Sequence, residues 1–527
     1  ESKNAKNAAK AGGISLMALS LAACGGSSTT TTTTTATDTT TTVVTPAAQS
    51  ASLTIGVDGV TTGAGDDTIT AATVATTDSN GAVVNNATLS ATDVIDGGAG
   101  ADTLNVTEVA AMTVPGVTVS NVETINLTSA AGVTANLGSG FTGVETLNVT
   151  ATGATNIDAL ATIDVNLTAT TTTTTTAVDK AMDVTIANTG VTSNAATIAV
   201  GAASAAKGAV SVTQTTNFGE ADTTAPTIAV TGGTTVAITQ NLAGASDAAQ
   251  GTDATAETYT GGAITVTGTA DTTAVTVTQT GANTAVNYAA ATAATAAATG
   301  TLAVAGETGV VNGAVSITDA NSTSLLDAGT ITTATLNNYG DSTVNSGALS
   351  TVNISGTGGT LGLTAGALTT ATSTTLAINA TGATAGAITA DADYTTINVA
   401  GLTTASTIAS LTATGATTLN VSGDAAVTLT ANPLAAVTDV NVTNTAGVTL
   451  GTALGNAVTF DAVGGDDAVA VGATTKSIVM GAGDDTVTVN ASALGTAGSI
   501  DAGTGTDTLV MTGANAITAS ANGTFGN

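Results

Sequence analysis

A strand-like phrase returns along this chain at a nearly fixed interval. Thr103-Leu104-Asn105-Val106-Thr107, Thr124-Ile125-Asn126-Leu127-Thr128 and Thr146-Leu147-Asn148-Val149-Thr150 place Leu104, Ile125 and Leu147 21 and 22 residues apart. Far downstream, Thr396-Ile397-Asn398-Val399, Thr418-Leu419-Asn420-Val421 and Asp439-Val440-Asn441-Val442 place Ile397, Leu419 and Val440 22 and 21 apart. A period of this length belongs to a solenoid, in which each coil buries its apolar face on the next. Inside each phrase an apolar residue alternates with Thr or Asn, the pattern of a strand with one buried and one wet face. The expected fold is therefore all-β, a parallel β-solenoid or β-roll. With no Trp, no His, four Tyr and four Phe, its core has to be built from small and β-branched side chains.

A second signature lies near the two ends of the repeating region. Gly63-Ala64-Gly65-Asp66-Asp67, Asp96-Gly97-Gly98-Ala99-Gly100-Ala101-Asp102, Gly464-Gly465-Asp466-Asp467, Gly481-Ala482-Gly483-Asp484-Asp485 and Asp501-Ala502-Gly503-Thr504-Gly505-Thr506-Asp507 are each followed by a short strand-like segment. They fit the calcium-binding nonapeptide G-G-x-G-x-D-x-U-x of parallel β-rolls. Glycines let the backbone turn so that its carbonyls, with an aspartate carboxylate, face a hard cation that takes about six to eight oxygens. Two nonapeptides make a coil, so ligands should recur every eighteen residues. Asp467 and Asp485 do, whereas the twenty-two from Asp485 to Asp507 require a bulge or loop. The expected cofactor is Ca2+, with Asp67 and Asp102 as ligands in the first cluster and Asp467, Asp485 and Asp507 in the second. A single Gly-Asp pair is an ordinary turn former, but five in one chain favour the metal.

Charge points the same way. The formal net charge is −31, with six lysines and no arginine. Nucleic acid and anionic membrane surfaces are poor partners for such a chain, and crowded aspartates resist compaction until cations neutralise them. Lys3, Lys6 and Lys10 precede the apolar run Ile14 to Ala23, too short to span a bilayer, which ends at the only cysteine, Cys24. Residues 1–23 read as a signal-like segment. Leu21-Ala22-Ala23-Cys24 is similar to a bacterial lipobox, which implies a lipidated Cys24 anchored to the outer membrane; the plainer alternative is a chance cysteine among small residues.

Five segments are expected in all. After the signal-like residues 1–23 comes a Thr-rich linker over 24–52, extended and open to glycosylation. Residues 53–170 form an N-terminal solenoid closed by the run Thr170 to Thr176. Residues 178–320 carry alternating strands such as Ala209-Val210-Ser211-Val212 and Ala274-Val275-Thr276-Val277 at uneven, turn-punctuated spacings, which read as a β-sandwich-like insert. Ala289 to Ala298 has the propensity for a short helix. The solenoid resumes over 325–527.

Asn121-Val122-Glu123-Thr124-Ile125-Asn126-Leu127-Thr128 and Gly143-Val144-Glu145-Thr146-Leu147-Asn148-Val149-Thr150, together with the aspartate turns and the runs 266–280 and 330–340, resemble RTX-type β-strand-repeat surface-layer proteins of Gram-negative bacteria. The resemblance covers most of residues 53–510. It implies an extracellular, calcium-dependent protein that assembles with copies of itself into a cell-surface lattice, attached in part through surface polysaccharide; a solitary calcium-dependent adhesin or stalk is the alternative. Parallel β-helices also host polysaccharide-active enzymes, but a lyase needs a positioned base and a cation, and this chain has neither His nor Arg to supply them. The expectation is a non-enzyme. Glu123 and Glu145 read either as calcium ligands at a coil corner or, preferably, as solvated strand starts.

Overall fold

The parallel ladders expected from the 21- and 22-residue period are present. In a computed structural model, residues 46–170, 175–191, 196–218, 224–243, 258–281, 308–319, 329–364, 374–432, 434–490, 494–512 and 523–526 are described. Among them there is no helix, and a parallel β-solenoid of about 17 turns runs through them. A first ladder begins with Ser50–Ser52, Thr68–Thr77, Thr103–Glu108, Thr124–Ser129, Thr146–Ala151 and Asp164–Thr170 and ends at Gly523–Gly526. A second runs from Met112–Thr113 and Val133–Asn136 to Thr508–Met511. A short third ladder, Gly59–Thr61, Val94–Asp96, Thr118–Ser120 and Phe141–Thr142, gives the first coils an extra side. The strand Thr375–Ala390 turns a corner unbroken and pairs in both long ladders.

Register follows the apolar alternation. Ile69, Leu104, Ile125, Leu147, Val165, Val184 and Val210 are direct partners from coil to coil, and all are buried. Because strand side chains alternate, a slip by one residue would turn this whole column outward, so burial fixes the pairing. On the outer side the asparagines of the repeated phrase stack. Asn126 Nδ2 donates to Asn105 Oδ1 at 2.8 Å, Asn148 to Asn126 at 2.8 Å and Asn166 to Asn148 at 3.0 Å. The same row returns where Asn420 donates to Asn398 and Asn441 to Asn420.

Among the described residues of 178–320 the expected sandwich is not found. Val184–Val191, Val210–Asn217, Thr235–Ala243 and Ala274–Thr280 continue the first ladder, and Thr197–Val200, Thr227–Thr231, Ile264–Gly268 and Val315–Asp319 the second, all parallel. Alternation looks alike in a sandwich strand and in a solenoid strand. What concealed the solenoid is coil length, since steps here reach 39 and 59 residues while the strands still meet in register. Nor does the Thr170–Thr176 run close a unit, because Thr170 ends a first-ladder strand and Thr176 opens a second-ladder one. Where the coils lengthen, Phe218, Ala225, Leu242, Tyr259 and Val310 form a small separate core, with the Phe218 and Tyr259 rings stacked 4.9 Å apart. Among the described residues the first strand is Ser50–Ser52, slightly before the expected Leu53. Residues 1–45, with Cys24 and most of the Thr-rich linker, and the expected helix at Ala289 to Ala298 lie outside the described residues.

Candidate metal centre

The aspartate turns sit at coil corners, and the two clusters occupy different ones. The turns over residues 62–67 and 97–102 lead from the short third ladder into the first ladder; those ending at Asp467, Asp485 and Asp507 lead into second-ladder strands. Close stacking needs glycine here. Gly100 has φ +145°, and a Cβ on it would lie 2.2 Å from the Gly65 carbonyl oxygen; Gly505, at φ +149°, would meet the Gly483 carbonyl at 1.8 Å. Gly98, Gly465, Gly481, Gly483 and Gly503 share positive φ, whereas Gly63 and Gly65 do not. Backbone carbonyls of one turn therefore lie directly beneath the next.

The aspartates clasp successive coils in both directions. Asp102 Oδ1 accepts the Asp67 N–H at 2.7 Å, Asp485 Oδ1 the Asp467 N–H at 2.7 Å, and Asp507 Oδ1 the Asp485 N–H at 3.1 Å. Asp467 Oδ1 takes the Val448 N–H at 2.7 Å. The aspartates directly before Asp67, Asp467 and Asp485 point the other way. Asp66 Oδ1 accepts from Ala101 N–H, Asp466 from Asp484 N–H and Asp484 from Thr506 N–H, at 2.8, 2.9 and 2.8 Å. Asp96 and Asp501 each fold back on their own turn, accepting from Gly98 N–H and Gly503 N–H.

In three of these carboxylates one oxygen is left over. Oδ2 of Asp102, Asp467 and Asp485 is buried without a hydrogen-bond partner, and the three residues hold equivalent places in their turns. A buried carboxylate oxygen without a partner is costly. The cost shows in the acidities. Burial, reinforced by the charges of Asp485 and Asp466, pushes Asp467 up to about 7; burial likewise raises Asp102 and Asp485, with neighbouring carboxylates adding to it. Asp67 is the exception, because Gln49 N–H and Gly63 N–H occupy both its oxygens and hold it below the usual range. Unpartnered carboxylate oxygens beside stacked carbonyls suit a hard cation such as Ca2+. Among the described residues no three acidic, His or Cys side chains come together as a metal cluster, so an ion here would draw most of its ligands from backbone carbonyls and water. An open cavity of about 570 Å3 adjoins the last turns, lined in part by Asp485, Gly503, Gly505 and Asp507.

One residue read as a solvated strand start belongs to this corner. Glu123 Oε2 accepts the Asp102 N–H at 2.8 Å, doing for Asp102 what Asp102 does for Asp67. The signal available in the sequence is its position, directly before Thr124, which pairs with the Thr103 that follows Asp102. The chain matches no known family model, and no curated protein matches it.

Proposed function

We propose that this is a calcium-dependent structural protein of the bacterial cell surface that assembles with copies of itself into a surface layer. The observation that carries the reading is the set of buried, unpartnered Oδ2 atoms of Asp102, Asp467 and Asp485, each the last residue of a glycine turn at a coil corner of one long solenoid. Calcium bound there satisfies those oxygens and lowers the mutual repulsion of an acidic chain. The outer rows of Thr and Asn then offer extended uncharged faces on which copies can meet. The resemblance to RTX-type surface-layer proteins supports the same reading, as does the signal-like start, from which lipidation of Cys24 and attachment to the outer membrane follow as part of the proposal.

The test is electron microscopy of purified protein with and without calcium, alongside calorimetric titration of calcium into chelator-treated protein. Sheets or filaments that form with calcium and dissolve with chelator are the expected outcome. A protein that takes up calcium yet stays monomeric at high concentration loses the lattice function and becomes a solitary adhesin or stalk; one that takes up none loses both.

A further inference from the structure

The turns that enter the first ladder change length partway along it. Thr61 and Thr68 are joined by residues 62–67, and Asp96 and Thr103 by residues 97–102, both glycine-rich. In the next two coils only Asn121-Val122-Glu123 and Gly143-Val144-Glu145 intervene. Val122 and Val144 are buried in these shorter turns. Glutamate, longer by one methylene, replaces aspartate just before the strand.

At the boundary between the two kinds of turn, oxygen atoms converge. A methyl group built on Gly97 would lie 2.0 Å from the Asn121 carbonyl oxygen and 2.8 Å from Asp102 Oδ2, so both oxygens border the same spot. Asp102 is fully buried and its Oδ2 has no partner. Asn121 is held at φ +51°, a conformation uncommon for a residue with a side chain, while its Nδ2 donates to Asp96 Oδ1 at 2.8 Å. Glu123 brings a second carboxylate, with Oε2 on the Asp102 N–H. Two carboxylates this close, one of them buried, repel unless a cation lies between them.

We propose that Asp102, Glu123 and the Asn121 carbonyl hold one divalent cation at this boundary, a terminal site unlike the repeating ones because a glutamate from a three-residue turn completes it. Calcium is the ion that such an all-oxygen, carbonyl-containing set favours. The proposal rests on the calcium reading above for the identity of the ion, while the site rests on its own residues.

Calorimetric titration of calcium chloride into the chelator-treated full chain tests it with three variants. Glu123→Gln keeps the acceptor for the Asp102 N–H and removes the charge; it should lose one bound ion, or weaken one at least tenfold, while circular dichroism in chelator matches the parent. Asp102→Asn should lose the same ion. Asp485→Asn reports separately on the repeating turns. If Glu123→Gln binds as many ions as the parent with the same affinities while Asp485→Asn loses one, the boundary site is wrong and the repeating sites stand. If neither variant changes the titration, both readings fall. Should Glu123→Gln alter the spectrum in chelator, Glu123 is a structural residue and the site is refuted.

Discussion

At the scale of single residues, the corner carboxylates set opposite demands with and without a cation. Asp467 has an ordinary value of 3.8 and is pushed up to about 7 in the folded chain. A raised folded-state value means that the folded form holds the proton more tightly. The associated stability is complete below about pH 4 and is lost as pH rises through 7, a cost of about 4 kcal/mol once the group is ionised. Urea unfolding in chelator should therefore show the parent losing stability between pH 4 and 7 relative to Asp467→Asn, which cannot ionise there. Calcium should reverse the slope, because the ion binds the charged form. Parallel pH profiles for parent and variant in chelator would remove Asp467 from this account. The unpartnered Oδ2 atoms behind the argument were not legible in the sequence. Gly-Asp spacing locates a turn, but only the stacked coils show that one oxygen is engaged by a neighbouring N–H and the other is left alone.

At the scale of the strand, the repeated Thr-x-Asn-x-Thr phrase is two structures at once. Its apolar positions fill the core, and its asparagine joins a row of amides running from Asn105 to Asn166. Asn126→Ala breaks two of these bonds and strands the Asn148 donor and the Asn105 acceptor, for an expected loss of about 1–2 kcal/mol. Asn166→Ala, at the end of the row, breaks one and should cost less. Equal losses for the two, measured by chemical denaturation, would show that the row does not act as a chain. This element was largely readable in advance, since period and alternation together specify a parallel ladder. The stretch from Val184 to Asp319 differs from the expected sandwich for the complementary reason. Its strands alternate in the same way, but uneven coil lengths hid the period, and alternation alone does not say which strand is the neighbour. The corner at which each aspartate cluster sits was equally invisible, because it depends on which ladder a turn feeds. Glu123 was within reach of the sequence: it stands in the register of Asp102, and the change from aspartate to glutamate obscured the match.

For the molecule as a whole, each coil touches chiefly its neighbours, so stability is a sum of coil and interface contributions. The aspartate turns lie toward the two ends of the described solenoid, and the middle coils hold together through apolar columns and amide rows. Chelation should accordingly loosen the ends first. Hydrogen exchange followed by mass spectrometry should show faster exchange in residues 62–108 and 464–511 on adding chelator, with little change across the strands from Val184 to Asn217. Uniform acceleration along the chain would mean that calcium acts through net charge alone.

The long coils carry a consequence for how such a chain changes over generations. Between Val275 and Ala334, paired side by side in the first ladder, 59 residues pass, against 21 or 22 in the regular coils. Chain-closure entropy grows only with the logarithm of length, so nearly tripling a coil costs about 1 kcal/mol. Heredity can therefore lengthen or shorten a coil between two paired strands while the registers on either side keep their partners.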